Sequence, residues 1–96
     1  MTRKGILDIL RSEKQYLRNH YGLLAIGLFG SYAKDTHQPD SDIDLLVELA
    51  EAHFDSLAGL QIYLENRLGK PVELVRKRKG LSERFLRRIE MDIHYV

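Results

Sequence analysis

Length, composition and charge point to one small globular domain. The 96 residues, of which 44% are hydrophobic and 30% charged, suffice for one compact core but not for two. The net charge of +1 gives no general attraction to nucleic acids or membranes, and the absence of cysteine excludes disulfide frameworks and thiolate zinc sites. We therefore expect a single domain over residues 1–96.

The pattern of residues excludes two further classes. No stretch approaches the ~18 to 20 consecutive apolar residues of a membrane span, and the N-terminus leads directly into an amphipathic segment. We therefore expect a cytoplasmic protein without a membrane partner. The histidines lack the spacing of metal ligands on a shared face, so we interpret them as surface or loop residues and expect no zinc site. They are His20, His37, His53 and His94.

The first half of the chain predicts a helix, a buried strand and a polar loop. Apolar residues recur near helical spacing over residues 2–20, and Gly22 is expected to end this helix. The continuous apolar run over residues 23–29 predicts a strand covered on both faces. Residues 31–41 are polar and rich in turn formers, which predicts a loop, or a short helix followed by a loop.

The second half predicts two strands and two helices. The strands are expected over residues 42–48 and 72–75, with a helix between them over about 54–68. Ser82 is a good N-cap for a last helix, whose apolar stripe would run to Ile93. This order predicts an α/β (α+β) fold, a small mixed β-sheet packed with helices, and leaves the strand order open.

Two aspartates stand at the start of the second predicted strand. Asp42 and Asp44 are two positions apart, so their side chains leave the same face, whereas Ile43 points to the core. Carboxylates this close repel each other, and a divalent cation between them keeps both ionised. Their oxygen atoms favour Mg²⁺ or Mn²⁺. A bare pair more often only solvates a strand end, so a metal site needs further support.

That support comes from the end of the preceding strand. Gly30 and Ser31 are followed by ten residues and then by the two aspartates. A glycine lets a phosphate approach the backbone closely, and a serine beside it can donate its N–H and its hydroxyl to phosphate oxygens. The combination predicts a triphosphate lying between a small-residue turn and a metal ion.

The segment from Gly30 to Val47 resembles the motif of the DNA polymerase β-like nucleotidyltransferases, in particular their minimal MNT group. The resemblance extends over essentially the whole chain and implies the polymerase β-like nucleotidyltransferase fold. It also implies that Asp42 and Asp44 bind Mg²⁺, with two ions expected, and that Gly30 and Ser31 hold ATP or another nucleoside triphosphate.

The same resemblance assigns a third carboxylate and shows where this chain departs from its relatives. The third metal-binding and catalytic position falls on Glu73, where most relatives have aspartate. Its longer side chain could still reach a metal or accept the proton of an attacking hydroxyl. In the glycine turn, Tyr32 and Asp35 stand where relatives usually carry arginine and glycine, and Lys34 keeps a positive charge near the nucleotide.

Seven of the 15 basic residues fall within 13 positions near the C-terminus. Such a cluster could contact the triphosphate, an RNA backbone or an acidic partner, or it could be a solvated strand end and helix face. Arg76, next to the strand that carries Glu73, is the best candidate for a nucleotide contact. The seven are Arg76, Lys77, Arg78, Lys79, Arg84, Arg87 and Arg88.

The resemblance also implies a reaction and a partner. Larger relatives carry an additional domain for the acceptor, so this short chain is expected to use an acceptor on another protein. Members of the minimal group commonly pair with a HEPN-domain toxin, which they neutralise by attaching AMP to a tyrosine or by binding. The leading hypothesis is therefore an antitoxin of the type VII kind that acts as a protein adenylyltransferase.

Two alternatives stay open at this stage. One is a catalytically weak binding module that masks a partner toxin, which the glutamate at position 73 motivates. The other is nucleotidyl transfer to RNA, which rests on the basic cluster alone. The sequence leaves the oligomeric state open, and an oligomer is compatible with it.

Overall fold

The computed structural model describes residues 1–51 and 54–96. In these ranges no helix is both long and apolar enough to cross a membrane. The helices are α1 (Arg3–Tyr21), α2 (Gly30–Lys34), α3 (Phe54–Leu68) and α4 (Glu83–Glu90). The strands are β1 (Leu23–Phe29), β2 (Ile43–Leu49), β3 (Val72–Arg76) and β4 (His94–Tyr95).

The strands form a mixed sheet, which confirms the predicted fold class. Their order is β3-β2-β1-β4. Strands β2 and β3 are parallel and are joined through α3, whereas β1 is antiparallel to both β2 and β4. Neither the order nor these directions followed from the sequence.

Local signals explain where the helices begin and end. Thr2 caps α1, since its hydroxyl accepts a hydrogen bond from the Gly5 N–H. Gly22 ends α1 with a φ of 69°, a left-handed conformation that glycine adopts without strain. Ser82 caps α4 by accepting from the Phe85 N–H, as predicted. Asp35 closes α2 with a φ of 58°, which aspartate tolerates better than most residues.

The sheet has two faces of different character. Helices α1 and α3 cover the first face, where the alternate residues of β2 are fully buried. Helix α4 covers part of the second face, packing Ile89 against Phe29 and Leu46. The fully buried positions of the first face include Ile6, Leu10, Leu17, Ile26, Leu28, Ile43, Leu45, Val47, Leu60 and Leu64.

The C-terminus differs from its prediction. Helix α4 ends at Glu90, so Ile93 lies beyond the helix, although it still packs into the same apolar cluster. The next two residues form β4, a strand too short to show a periodic pattern, which pairs with Gly27 and Leu28. Gly27 allows this close packing, because a Cβ atom would come within 2.8 Å of the Ile93 side chain, which would then have to shift.

Candidate active site

The sheet brings Asp44 and Glu73 side by side. The parallel register of β2 and β3 pairs these two residues, and the antiparallel register of β1 and β2 pairs Asp44 with Phe29 on the other side. Adjacent strands lie about 4.8 Å apart. Gly30, which directly follows β1, therefore meets Asp44 of β2 and Glu73 of β3 at one end of the sheet.

Gly30 lies directly against the carboxylate of Asp44. A Cβ atom at this position would collide with the Asp44 side chain, and the φ of Gly30 is 76°, in the left-handed region. Any other residue at position 30 would therefore require the backbone or the Asp44 side chain to move. The predicted phosphate turn and the predicted metal ligand are thus in van der Waals contact.

The Asp44 carboxyl group has an unusual acidity. Its pKa is raised to about 6, first by burial, then by a hydrogen bond to Glu73 that only the protonated acid can donate, and by the negative charges of Glu73 and Asp42. The local electrostatics therefore favour a proton or a cation among these acids.

The three predicted metal ligands are not equally close. Asp42 lies just before β2 and is exposed, and it acts on Asp44 through its charge. In residues 1–51 and 54–96, no group of three or more His, Asp or Glu side chains is gathered closely enough to hold a metal ion. Asp44 and Glu73 form the close pair, and Asp42 lies outside it.

The loop that leads to Asp42 is held by aromatic and polar contacts. The rings of Tyr32 and His37 stack with centroids 4.0 Å apart, and Lys70 lies over the Tyr32 ring. Lys70 also donates a hydrogen bond of 2.7 Å to the Pro39 carbonyl. These contacts connect α2 to the loop before β2. They therefore hold the phosphate turn at Gly30 and the loop that carries Asp42 next to each other.

The remaining histidines are scattered over the fold. His20 is exposed on α1, whereas His94 is half-buried in β4 and so is not the surface or loop residue that we expected. The prediction for His53 lies outside the described residues. The side chain of Phe54, which helical spacing predicted to be core or interface, lies outside them as well.

Lys34 stays near the turn, but Arg76 does not. Lys34 ends α2, and its ammonium group lies 4.0 Å from the Asp92 carboxylate. Arg76 pairs with Val47 in the parallel register, three positions after Glu73. Because side chains alternate along a strand, Arg76 leaves the face of the sheet opposite to Glu73.

A cleft of about 370 Å³ lies between α2 and α4, and Gly30, which contacts Asp44, is one of its lining residues. It contains Arg88, which belongs to the basic cluster but was not singled out from the sequence. The signal was present, since Phe85, Arg88, Ile89 and Asp92 follow helical spacing on one face. The cleft is lined by Phe29, Gly30, Lys34, Phe85, Arg88, Ile89 and Asp92.

Comparison with known proteins identifies related sequences and structures. The sequence profile described as "Nucleotidyltransferase domain" matches residues 6–95. Protein adenylyltransferase MntA of Thermococcus cleftensis is 37% identical over 93 residues, which cover 93% of this chain and 94% of that protein.

Two solved structures share the fold. A crystal structure of a toxin-antitoxin with AMP-PNP has a TM-score of 0.70 and 27% identity, covering 99% of this chain and 72% of the other. A tri-AMPylated Shewanella oneidensis HEPN toxin in complex with MNT antitoxin has a TM-score of 0.60 and 26% identity, covering 97% of this chain and 66% of the other. The chain therefore belongs to the nucleotidyltransferase domain family, and within it to the minimal group that includes the MntA protein adenylyltransferases.

Proposed function

We propose that this protein transfers AMP from ATP to a hydroxyl group on a HEPN-domain toxin and thereby acts as its antitoxin. The observation that carries the proposal is the meeting of Gly30, Asp44 and Glu73 at one end of the sheet. The relatives named above support the nucleotide and the partner, because their names include adenylyl transfer, AMP-PNP and an AMPylated HEPN toxin. The cytoplasm, where ATP is abundant, is the compartment that suits this reaction.

The reaction needs positioning and charge compensation more than covalent chemistry. A hydroxyl oxygen of the acceptor forms a bond to the α-phosphorus of ATP, and the bond from that phosphorus to the bridging oxygen breaks, releasing pyrophosphate. The hydroxyl proton passes to a carboxylate, for which Glu73 is the candidate because it is exposed beside Asp44. Gly30 and Ser31 would hold the phosphates.

The donor set fits magnesium, and Asp42, Asp44 and Glu73 would hold it. All three offer carboxylate oxygens, which Mg²⁺ and Mn²⁺ prefer. The pKa of Asp44 is raised by burial and also by the negative charges of Glu73 and Asp42, and a cation would relieve this repulsion. Asp42 is exposed, so its side chain is free to turn toward the other two. When bound, Mg²⁺, expected as two ions, neutralises the charge that develops on the attacking and leaving oxygens.

A transfer assay with two differently labelled nucleotides tests the proposal. The protein, Mg²⁺ and a HEPN-domain protein from the same organism are incubated with ATP labelled in the α- or the γ-phosphate. We expect label on the HEPN protein from the α-label only, and a loss of about 100-fold or more in Asp44→Asn, because several kcal/mol of charge stabilisation disappear. Asp40→Asn, an exposed aspartate in the nearby loop, is the matched control and should retain transfer.

The same assay distinguishes the two alternatives. If the HEPN protein is inhibited without becoming labelled, and Asp44→Asn inhibits it equally well, the protein is a module that masks its partner and not an enzyme. Label that appears on added RNA instead of protein would favour RNA as acceptor, and Arg76→Ala should then weaken RNA binding in a salt-dependent way.

A further inference from the structure

The cleft between α2 and α4 is open to the phosphate turn. Gly30 belongs to both the phosphate turn and the cleft, because it contacts the Asp44 carboxylate and is also one of the residues that line the cleft. The volume of about 370 Å³ lies within the ~300–1,000 Å³ of small-molecule sites. A ligand held at Gly30 and Asp44 can therefore extend into this cleft.

The cleft has an apolar floor and charged walls. Phe29 and Ile89 are buried at its base. Lys34 lies on the α2 side, and Arg88 lies on the α4 side with its guanidinium 5.7 Å from the centre of the Phe85 ring. This contact orients the Arg88 side chain, because a guanidinium group is attracted to an aromatic face. Two cations thus face each other across the space next to Gly30.

Asp92 is the one acidic residue among those that line the cleft, and it holds Lys34 only weakly. The two charged groups are 4.0 Å apart, and their side chains are 41% and 51% exposed. Ion pairs of this exposure contribute little to stability, so an anionic ligand can compete for Lys34. The Asp92 carboxylate therefore keeps the Lys34 ammonium group at the cleft, where it can still bind an anionic ligand.

Of the residues in the glycine turn, Lys34 is the cation that lines the cleft. Tyr32, which follows Ser31, is 1% exposed and stacked on His37, so it is turned away from solvent and from the cleft. Arg76 leaves the opposite face of the sheet. Beside the Mg²⁺ that the proposed function expects, Lys34 and Arg88 are the cations that line the cleft, and the guanidinium group of Arg88 can bind phosphate oxygens with two parallel hydrogen bonds.

We propose that this cleft is the subsite for the β- and γ-phosphates of the nucleotide, with Arg88 and Lys34 as their ligands and Asp92 as the residue that holds Lys34 in the absence of nucleotide. The inference rests on the proposed function, because it assumes that the α-phosphate lies at Gly30 and Asp44. It adds a nucleotide-binding residue from α4 that the motif around Gly30 does not contain.

Equilibrium binding of AMP-PNP and of AMP, both with Mg²⁺, tests the subsite without relying on catalysis. We expect Arg88→Ala to weaken AMP-PNP binding about 10-fold, the usual effect of losing a charge-assisted hydrogen bond, and to change AMP binding by less than about 2-fold. Arg88→Lys should fall between the two, because lysine keeps the charge but not the paired geometry. Asp92→Asn should tighten AMP-PNP binding about 2- to 5-fold, since it releases Lys34 and removes a repulsive charge.

Arg87→Ala is the matched control, because Arg87 is a neighbouring arginine on α4 that is also exposed but is not among the residues that line the cleft. Equal AMP-PNP affinity in Arg88→Ala and Arg87→Ala would overturn the subsite and leave the proposed transfer intact. So would an equal loss of AMP and AMP-PNP binding in Arg88→Ala. If the unsubstituted protein binds neither nucleotide, the proposed function fails and the subsite fails with it. Thermal unfolding of each variant verifies that it is folded, and the opposite sign expected for Asp92→Asn cannot arise from misfolding.

Discussion

The two faces of the sheet differ in what their residues do. The face covered by α1 and α3 has fully buried aliphatic side chains on every packed element. The face next to α4 carries a smaller cluster around Phe29, Leu46 and Ile89, and it continues into Asp44 and Glu73. Apolar burial is the main source of stability, whereas close carboxylates cost stability unless they are compensated. The first face therefore supplies most of the stability of the fold. That stability offsets the cost of holding the carboxylates of the candidate site close together on the second face.

The largest effect on stability is expected from the first face. Leu64→Ala removes a fully buried side chain from α3 and should lower the free energy of unfolding by about 3 kcal/mol, through lost burial and a cavity. Urea denaturation measures this loss. Ile62→Ala, on the same helix but with 60% of the side chain exposed, is the control and should cost less than about 1 kcal/mol. Similar losses in both variants would contradict the assigned core.

Substitutions on the second face are expected to lower AMP transfer more than stability. Glu73→Gln keeps the size of the side chain but cannot accept a proton, and we expect AMP transfer to fall about 100-fold. Glu73→Asp keeps a carboxylate that can accept a proton but shortens the side chain by one methylene, and transfer should stay within about 10-fold of the unsubstituted protein. The exposed Glu90→Gln on α4 is the control for a lost negative charge. Full transfer by Glu73→Gln, measured with α-labelled ATP, would remove Glu73 from the reaction.

Gly30 allows the contact between the phosphate turn and the acid to be tested by itself. Gly30→Ala should destabilise the protein by about 2 kcal/mol, because a methyl group at positive φ is strained and also collides with the Asp44 carboxylate. Gly69→Ala has a similar φ of 71° and nothing within 4 Å, so it should cost only about 1 kcal/mol. The difference between the two melting curves measures the collision, and no difference would mean that Asp44 moves away freely.

The smallest effect expected is a pH dependence of stability. In the folded protein the pKa of Asp44 is raised to about 6 from an ordinary value of 3.8, so the folded state binds this proton more tightly than the unfolded state. Stability from this group is therefore full below about pH 4 and is lost as the pH rises through 6. Because Asp44 is half-exposed, we expect on the order of 1 kcal/mol.

Asp44→Asn isolates that contribution from other carboxyl groups. The pKa of Glu13 is lowered, chiefly by the hydrogen bond that Tyr63 donates to it, so Glu13 acts in the opposite direction as the pH falls. Without Mg²⁺, the melting temperature of Asp44→Asn at pH 7 should exceed that of the unsubstituted protein by a few degrees, and the gap should close toward pH 4. A gap that is the same at both pH values would contradict the raised pKa.

Local signals were sufficient for most of the secondary structure. Ser82 and Gly22 acted as predicted because capping depends on hydrogen bonds within a few residues. The continuous apolar run over residues 23–29 correctly predicted a strand, but its coverage on both faces holds only from Ile26 to Phe29, since Leu24 is 56% exposed. The short strand β4 was missed, because its two residues gain their partners from Gly27 and Leu28, far away in the chain.

For the candidate site as well, some features could be predicted from local sequence and others could not. The sequence by itself determined which residue types are present, a glycine-serine turn and acids with the alternation of a strand, because those depend on spacing along one segment. Only the tertiary structure decided that Glu73 lies beside Asp44, that Arg76 leaves the opposite face and that Arg88 faces Lys34 across a cleft. Strand register and helix packing set those distances, and both arise from contacts between segments that no local pattern encodes.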